Sequence, residues 1–153
     1  MAASIVSLIL RKYQVKEALG NGLLFVNMQK IDANIVLRYV LNDHEELSSK
    51  AREIIDQSIV EVPIEALCEV IYVLTGHYEV DRKSVSTGLN RFFEQTQCIL
   101  SHRRAVLQGI EYFGTHNLDF VDCLLAGYAK IEKDEIFTFD DRLQKFIRII
   151  NEI

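Results

Sequence analysis

The chain has no tryptophan and a single proline, Pro63, and its seven glycines are dispersed through 153 residues. With no glycine-rich loop there is no P-loop and no dinucleotide fingerprint, so nucleotide hydrolysis and nicotinamide chemistry lack the backbone cradle that phosphates require. Cysteine is as sparse. Cys68, Cys98 and Cys123 are odd in number, far apart and set in apolar runs. That argues against a disulfide framework and for buried thiols in a reducing, cytoplasmic compartment. The histidines, His44, His77, His102 and His116, offer no pair at ligand spacing on one helix, which disfavours zinc. Long apolar runs are missing too: each is broken by Arg, Lys or Glu well before the roughly 18 residues of a membrane helix, so a soluble protein with no membrane partner is expected. Internal repeats, low-complexity tracts and flexible linkers are also absent.

Positive charge is in short supply, with 17 Lys and Arg against 22 Asp and Glu and a net charge of −5. Nucleic acid is therefore not held by bulk positive potential. It is not excluded as a substrate. If several acids gather in one metal site, the remaining surface is close to neutral and bound ions reverse the local field.

What the chain does have is apolar residues, 49% of the total, enough for one domain with a sizeable core. Residues 1–27 form an N-terminal extension of uncertain status. Ile5 to Leu10 is apolar, but no charge precedes it and Arg11-Lys12 follow at once, unlike a secretory signal. A start at Met28 leaves a self-contained domain, 28–153.

Patterning predicts alternating strands and helices. Strands are expected at Gln29–Asp32, Ser58–Val62, Cys98–Leu100 and Glu135–Phe139. Helices are expected at Asn34–Leu41, His44–Gln57, Pro63–Thr75, Asp81–Gln97, Arg103–Phe113 and Asp119–Ile131, with a last one from Arg142. Pro63 suits a first helical turn, Gly76 a C-cap and Asp81 an N-cap. The alternation implies an α/β fold with a mainly parallel central sheet and helices on both faces. Functional groups then collect at the carboxyl ends of strands, where Asp32 and Asp140 fall. The apolar residues around Phe92 and Phe93 look exposed and suit a partner surface.

Four short stretches set acids against apolar flanks: Ile31-Asp32-Ala33-Asn34, Leu67-Cys68-Glu69-Val70, Asp119-Phe120-Val121-Asp122 and Thr138-Phe139-Asp140-Asp141. An acid among large aliphatic neighbours needs a cation, a hydrogen bond or a helix terminus. Asp32 and Asp119 suit N-caps. Glu69 lies mid-helix in a segment apolar nearly all round, so it is expected to be buried and paired or aimed into a cleft. Asp122, one turn beyond Asp119, is the better ligand candidate of that pair. Of the adjacent acids, Asp140 is assigned to the site and Asp141 to the cap or to solvent. Together Asp32, Glu69, Asp122 and Asp140 offer only hard oxygen donors, which suit Mg²⁺ or Mn²⁺ and hydrolysis of a phosphodiester.

At these residues the chain resembles the PIN-domain nucleases, which include the VapC-like toxins of toxin–antitoxin pairs. The motifs are Asp32-x-Asn34 after the first strand, Glu69 in an apolar helix, Asp-Phe-Val-Asp-Cys-Leu-Leu-Ala carrying Asp122, and Thr138-Phe139-Asp140 after a strand. They span about Gln29 to Ile153. The resemblance implies a Rossmann-like three-layer sandwich and a Mg²⁺- or Mn²⁺-dependent ribonuclease acting on RNA. It also implies frequent homodimers and a small antitoxin that blocks the site. By position Asp32, Glu69, Asp122 and Asp140 match the family's acidic quartet, and Asn34 and Thr138 its polar supporting positions. Residues 1–27 have no counterpart in the usual short family member, and phosphate contacts fall to scattered Arg38, Arg91, Arg103, Arg104 and Arg142, each better read as a solvated surface residue. The rival reading is a catalytically weak PIN-like RNA-binding or scaffold protein.

Overall fold

The computed structural model describes residues 29–152; the expected extension at 1–27 lies outside the described residues. In chain order the elements are β1 (Gln29–Lys30), α1 (Ala33–Leu41), α2 (Glu45–Gln57), β2 (Val60–Glu61), α3 (Ile64–Gly76), α4 (Arg82–Gln95), α5 (Arg103–Thr115), α6 (Phe120–Ile131) and α7 (Asp141–Glu152). No helix among them is long and apolar enough to cross a membrane.

The α/β alternation is present, with a narrower sheet than the expected three-layer sandwich. β1 and β2 are parallel, Gln29 opposite Val60 and Lys30 opposite Glu61. Ile99 adds one parallel bridge to Glu61, its N–H donating to the Val60 carbonyl at 2.8 Å. The strand expected at Glu135–Phe139 is not formed; Phe137 and Phe139 are fully exposed. Thr138 makes local bonds instead. Its Oγ1 accepts from the Asp140 N–H at 3.0 Å and its carbonyl from Gln144 Nε2 at 2.5 Å, which fastens the segment to the start of α7 rather than to a ladder.

Helix starts follow the capping residues. Asp32 accepts from the Ile35 N–H at 3.0 Å, and Asp81 from the Ser84 N–H at 2.9 Å. Pro63 stands one residue ahead of the first turn, as the N-cap of α3. His44 caps α2 through Nδ1, which accepts from the Leu47 N–H at 3.2 Å.

The core runs between the helices, and the most extensive packing joins α5 to α6. Gly109 and Gly127 permit it. A methyl group at 127 would run into the Ala105 carbonyl oxygen, and one at 109 would press on the Cys123 carbonyl and the Leu124 backbone at 3.1 Å. Phe92 and Phe93 sit in this core, 3% and 1% exposed, with the Phe92 ring edge-on to Tyr39 at 5.3 Å between centroids. The partner surface expected around them is therefore not there: burial of Val85, Leu89, Phe92 and Phe93 on one stripe is what the amphipathic spacing of α4 encodes.

Candidate active site

The site is built outward from the loop that joins α5 to α6. Arg82, at the first position of α4, donates from Nε to the Phe113 carbonyl at 3.0 Å and from Nη2 to the carbonyls of His116, at 2.9 Å, and Leu118. Its guanidinium also lies 3.8 Å from the centre of the Phe113 ring. From the other side Arg142 of α7 donates to the Asn117 carbonyl at 2.5 Å. Three consecutive carbonyls, 116 to 118, are thus held by two arginines, and the chain emerges at Asp119 already set to begin α6.

Asp119 caps that helix, its Oδ1 accepting from the Asp122 N–H at 2.9 Å. Asp122 lies in the first turn, partly buried. Its carboxyl is pushed above the usual range, first by burial and then by the negative charges of Asp119 and Asp140, against a smaller opposing pull from Arg142. A carboxylate gathered with like charges in partly desolvated surroundings is relieved by a cation or a proton.

Asp140 reaches this cluster from the start of α7, and here one expectation is reversed. Asp140, not Asp141, is the cap: its Oδ1 accepts from the N–H groups of Arg142 at 2.7 Å and Leu143 at 3.0 Å, while Asp141 lies inside the first helical turn and is exposed, the solvated alternative. A capping carboxylate keeps its second oxygen, so capping and ligation are compatible at Asp32, Asp119 and Asp140 alike.

Glu69 is the second correction. It is exposed on α3, not buried in an apolar setting. Glu65, Glu69, Tyr72 and Gly76 follow one another at helical spacing and all face outward. Tyr72, 77% exposed, carries the explanation: counted as apolar, it hides the outer stripe of the helix. Asp32 and Asn34 are exposed as well, at the start of α1. The structure thus brings together Asp119, Asp122, Asp140 and Arg142, and ties neither Asp32 nor Glu69 to them. Among the described residues no three Asp, Glu, His or Cys side chains converge closely enough to hold a metal ion. The donor chemistry, all carboxylate oxygen with a like-charge cluster at Asp122, fits a hard divalent cation; the convergence of a complete ligand set is not part of that fit.

The arginines are what sequence reasoning missed. Arg82 and Arg103 each open a helix and Arg142 is the second residue of one, where a cation opposes the dipole, and each donates to backbone carbonyls, Arg103 to Phe93 at 2.6 Å and Cys98 at 3.3 Å. A cation at the wrong end of a helix was the available signal. Arg103 and Arg142 are accordingly not plain solvated residues, and Arg38 pairs with Asp43 at 2.6 Å.

A family model described as PIN domain matches residues 31–149, a span that contains all four expected acids. No curated protein and no solved structure matches the chain.

Proposed function

Because the chain belongs to the PIN-domain family, a family of nucleases, we propose that it is a divalent-metal-dependent endoribonuclease and the toxin of a toxin–antitoxin pair. The observation that carries the nuclease reading is the partly buried Asp122 with Asp119 and Asp140 at the start of α6. In this reading Asp32, Glu69, Asp122 and Asp140 hold Mg²⁺ or Mn²⁺, and Asn34 and Thr138 support Asp32 and Asp140. A bound divalent ion supplies stabilisation of charge on the phosphodiester and a nucleophilic water. The chain's own part is positional. Arg82 and Arg142 fix the loop before α6, the Asp119 cap fixes the first turn, and Thr138 steadies the backbone of Asp140. The toxin assignment rests on the resemblance of the four acidic motifs to a family that includes the VapC-like toxins, and a small antitoxin is the partner it implies. A homodimer is what the family resemblance implies; Phe92 and Phe93, being buried, add nothing to it.

The second reading, a catalytically weak RNA-binding or scaffold protein, is favoured by the exposed, unengaged Glu69 and by the lack of a converged ligand set among the described residues. Cleavage of a mixed RNA pool by the full chain with Mg²⁺ or Mn²⁺, beside EDTA and Asp122→Asn, separates the two. Cutting that both controls abolish supports the nuclease; RNA binding with no cutting supports the second reading.

A further inference from the structure

An open cavity of about 630 Å³ lies beside the acid cluster, between α3 and the start of α6. Ile71, Phe113 and Phe120 give it an apolar floor, and Tyr72 stands exposed at its rim. Asp119 belongs both to this cavity and to the group around Asp122. We propose that the cavity receives one unpaired nucleobase of the RNA strand being cut, with Tyr72 as the stacking surface. This rests on the ribonuclease reading above and assigns to that site a base-binding subsite on α3.

Continuity makes the first argument. A strand whose phosphate is held at Asp122 carries its neighbouring nucleotide past Asp119, over the mouth of the cavity. Charge makes the second. Besides the Tyr72 hydroxyl and the Cys68 thiol, the polar side chains at the cavity are Asp81, Asp119 and Thr75, while the one cation lining it, Arg82, turns its Nε and Nη2 onto backbone carbonyls. Such a lining repels a phosphate and accepts from the N–H groups of a base edge. Size makes the third. The volume falls in the ordinary range for small-ligand pockets of roughly 300–1,000 Å³, and an aromatic rim over an aliphatic floor suits a flat ring. A base locked in a duplex cannot enter without unstacking, which costs a few kcal/mol. The cavity therefore selects unpaired RNA.

Cys68 makes the test direct. It lines the cavity and is half-buried, whereas Cys98 and Cys123 are fully buried, so alkylation reports on this one thiol. Burial raises its pKa, so labelling is run at alkaline pH. The full-length chain in Ca²⁺, which takes the same oxygen donors in place of Mg²⁺ or Mn²⁺, is labelled alone, with a single-stranded RNA 12-mer, and with the same 12-mer as a duplex; in parallel, RNA affinity is measured for wild type and Tyr72→Ala. The proposal expects protection of Cys68 by the single strand and not by the duplex. It also expects Tyr72→Ala to lose about tenfold in affinity for the single strand, the size of one base–aromatic stack. Equal protection by both forms, or unchanged affinity in Tyr72→Ala, overturns it, as does protection that grows with protein concentration alone, which assigns the mouth to a second copy. Failure here with metal-dependent cleavage intact leaves the nuclease standing. Protection by the single strand in a protein that never cuts removes the nuclease and keeps the cavity.

Discussion

Asp122 and Glu69 look alike in the sequence, each an acid in an apolar helix, and the structure treats them differently. Asp122 is partly buried in the first turn of α6, among Asp119, Asp140 and Arg142, with a raised pKa. Glu69 lies mid-helix on the outer stripe of α3 and faces solvent. The difference is one of support. Around Asp122 a cap, two arginine clamps and the close α5–α6 packing fix the backbone before any ion arrives, whereas Glu69 has only the rigidity of its own helix. Apolar neighbours in sequence do not bury an acid; position relative to a helix end and to the packed face does.

The largest effect that sharpens this comparison is on activity. Asp122→Asn is expected to lower metal-dependent RNA cleavage by more than the roughly 10–100-fold typical of losing an outer supporting group. Glu69→Gln, measured in the same assay, should match it if both acids serve one metal site. A Glu69→Gln protein with wild-type rates would restrict that site to the α6–α7 side.

Gly127→Ala breaks the platform under Asp122. The added methyl has no room against the Ala105 carbonyl, and overpacking of this kind costs about 1–3 kcal/mol, read as a fall in the urea midpoint. The same change at Gly76, where nothing lies within 4 Å, should leave the core undisturbed.

Capping gives the next effect. Asp119→Ala removes the bond to the Asp122 N–H and should cost about 1 kcal/mol of stability. Asp119→Asn, which keeps a capping oxygen, should restore most of it. Asp32→Ala at α1 makes a matched control on the other side of the comparison.

The smallest effect concerns pH. The Lys30 ammonium and then the Ser101 hydroxyl hold the Glu61 carboxyl below its usual range, against an opposing contribution from burial. Its folded pKa is thus lower than its unfolded one, so the stabilisation is complete at neutral pH and drains away as pH falls below about 4.5 through the folded value. Glu61→Gln should flatten that acid-side loss by under about 1 kcal/mol, seen in denaturant midpoints across pH 3 to 7.

Much of the helical frame was legible because its signals are local. Asp81 and Asp119 read as caps and act as caps, Asp32, assigned to the site, also caps its helix, and the stripe Val85, Leu89, Phe92, Phe93 marks a helix. The sheet was less so. The runs at 58–62 and 98–100 pair over only a few residues, and 135–139 takes local bonds through Thr138, a competition that hydrophobic alternation cannot register. At the site, Asp140 and Asp141 could not be told apart by sequence, since either can cap and only the backbone decides. The exposure of Phe92 and Phe93 was misjudged because helical spacing identifies an apolar face without saying what covers it.

The most direct test of the central claim, one metal site that joins both sides, is a calorimetric titration of Mn²⁺ into the full-length wild type, Asp122→Asn and Glu69→Gln. The account predicts binding in the wild type and a marked loss in both variants, with folding unchanged. Binding that survives Asp122→Asn, or no binding to a folded wild type, would contradict it.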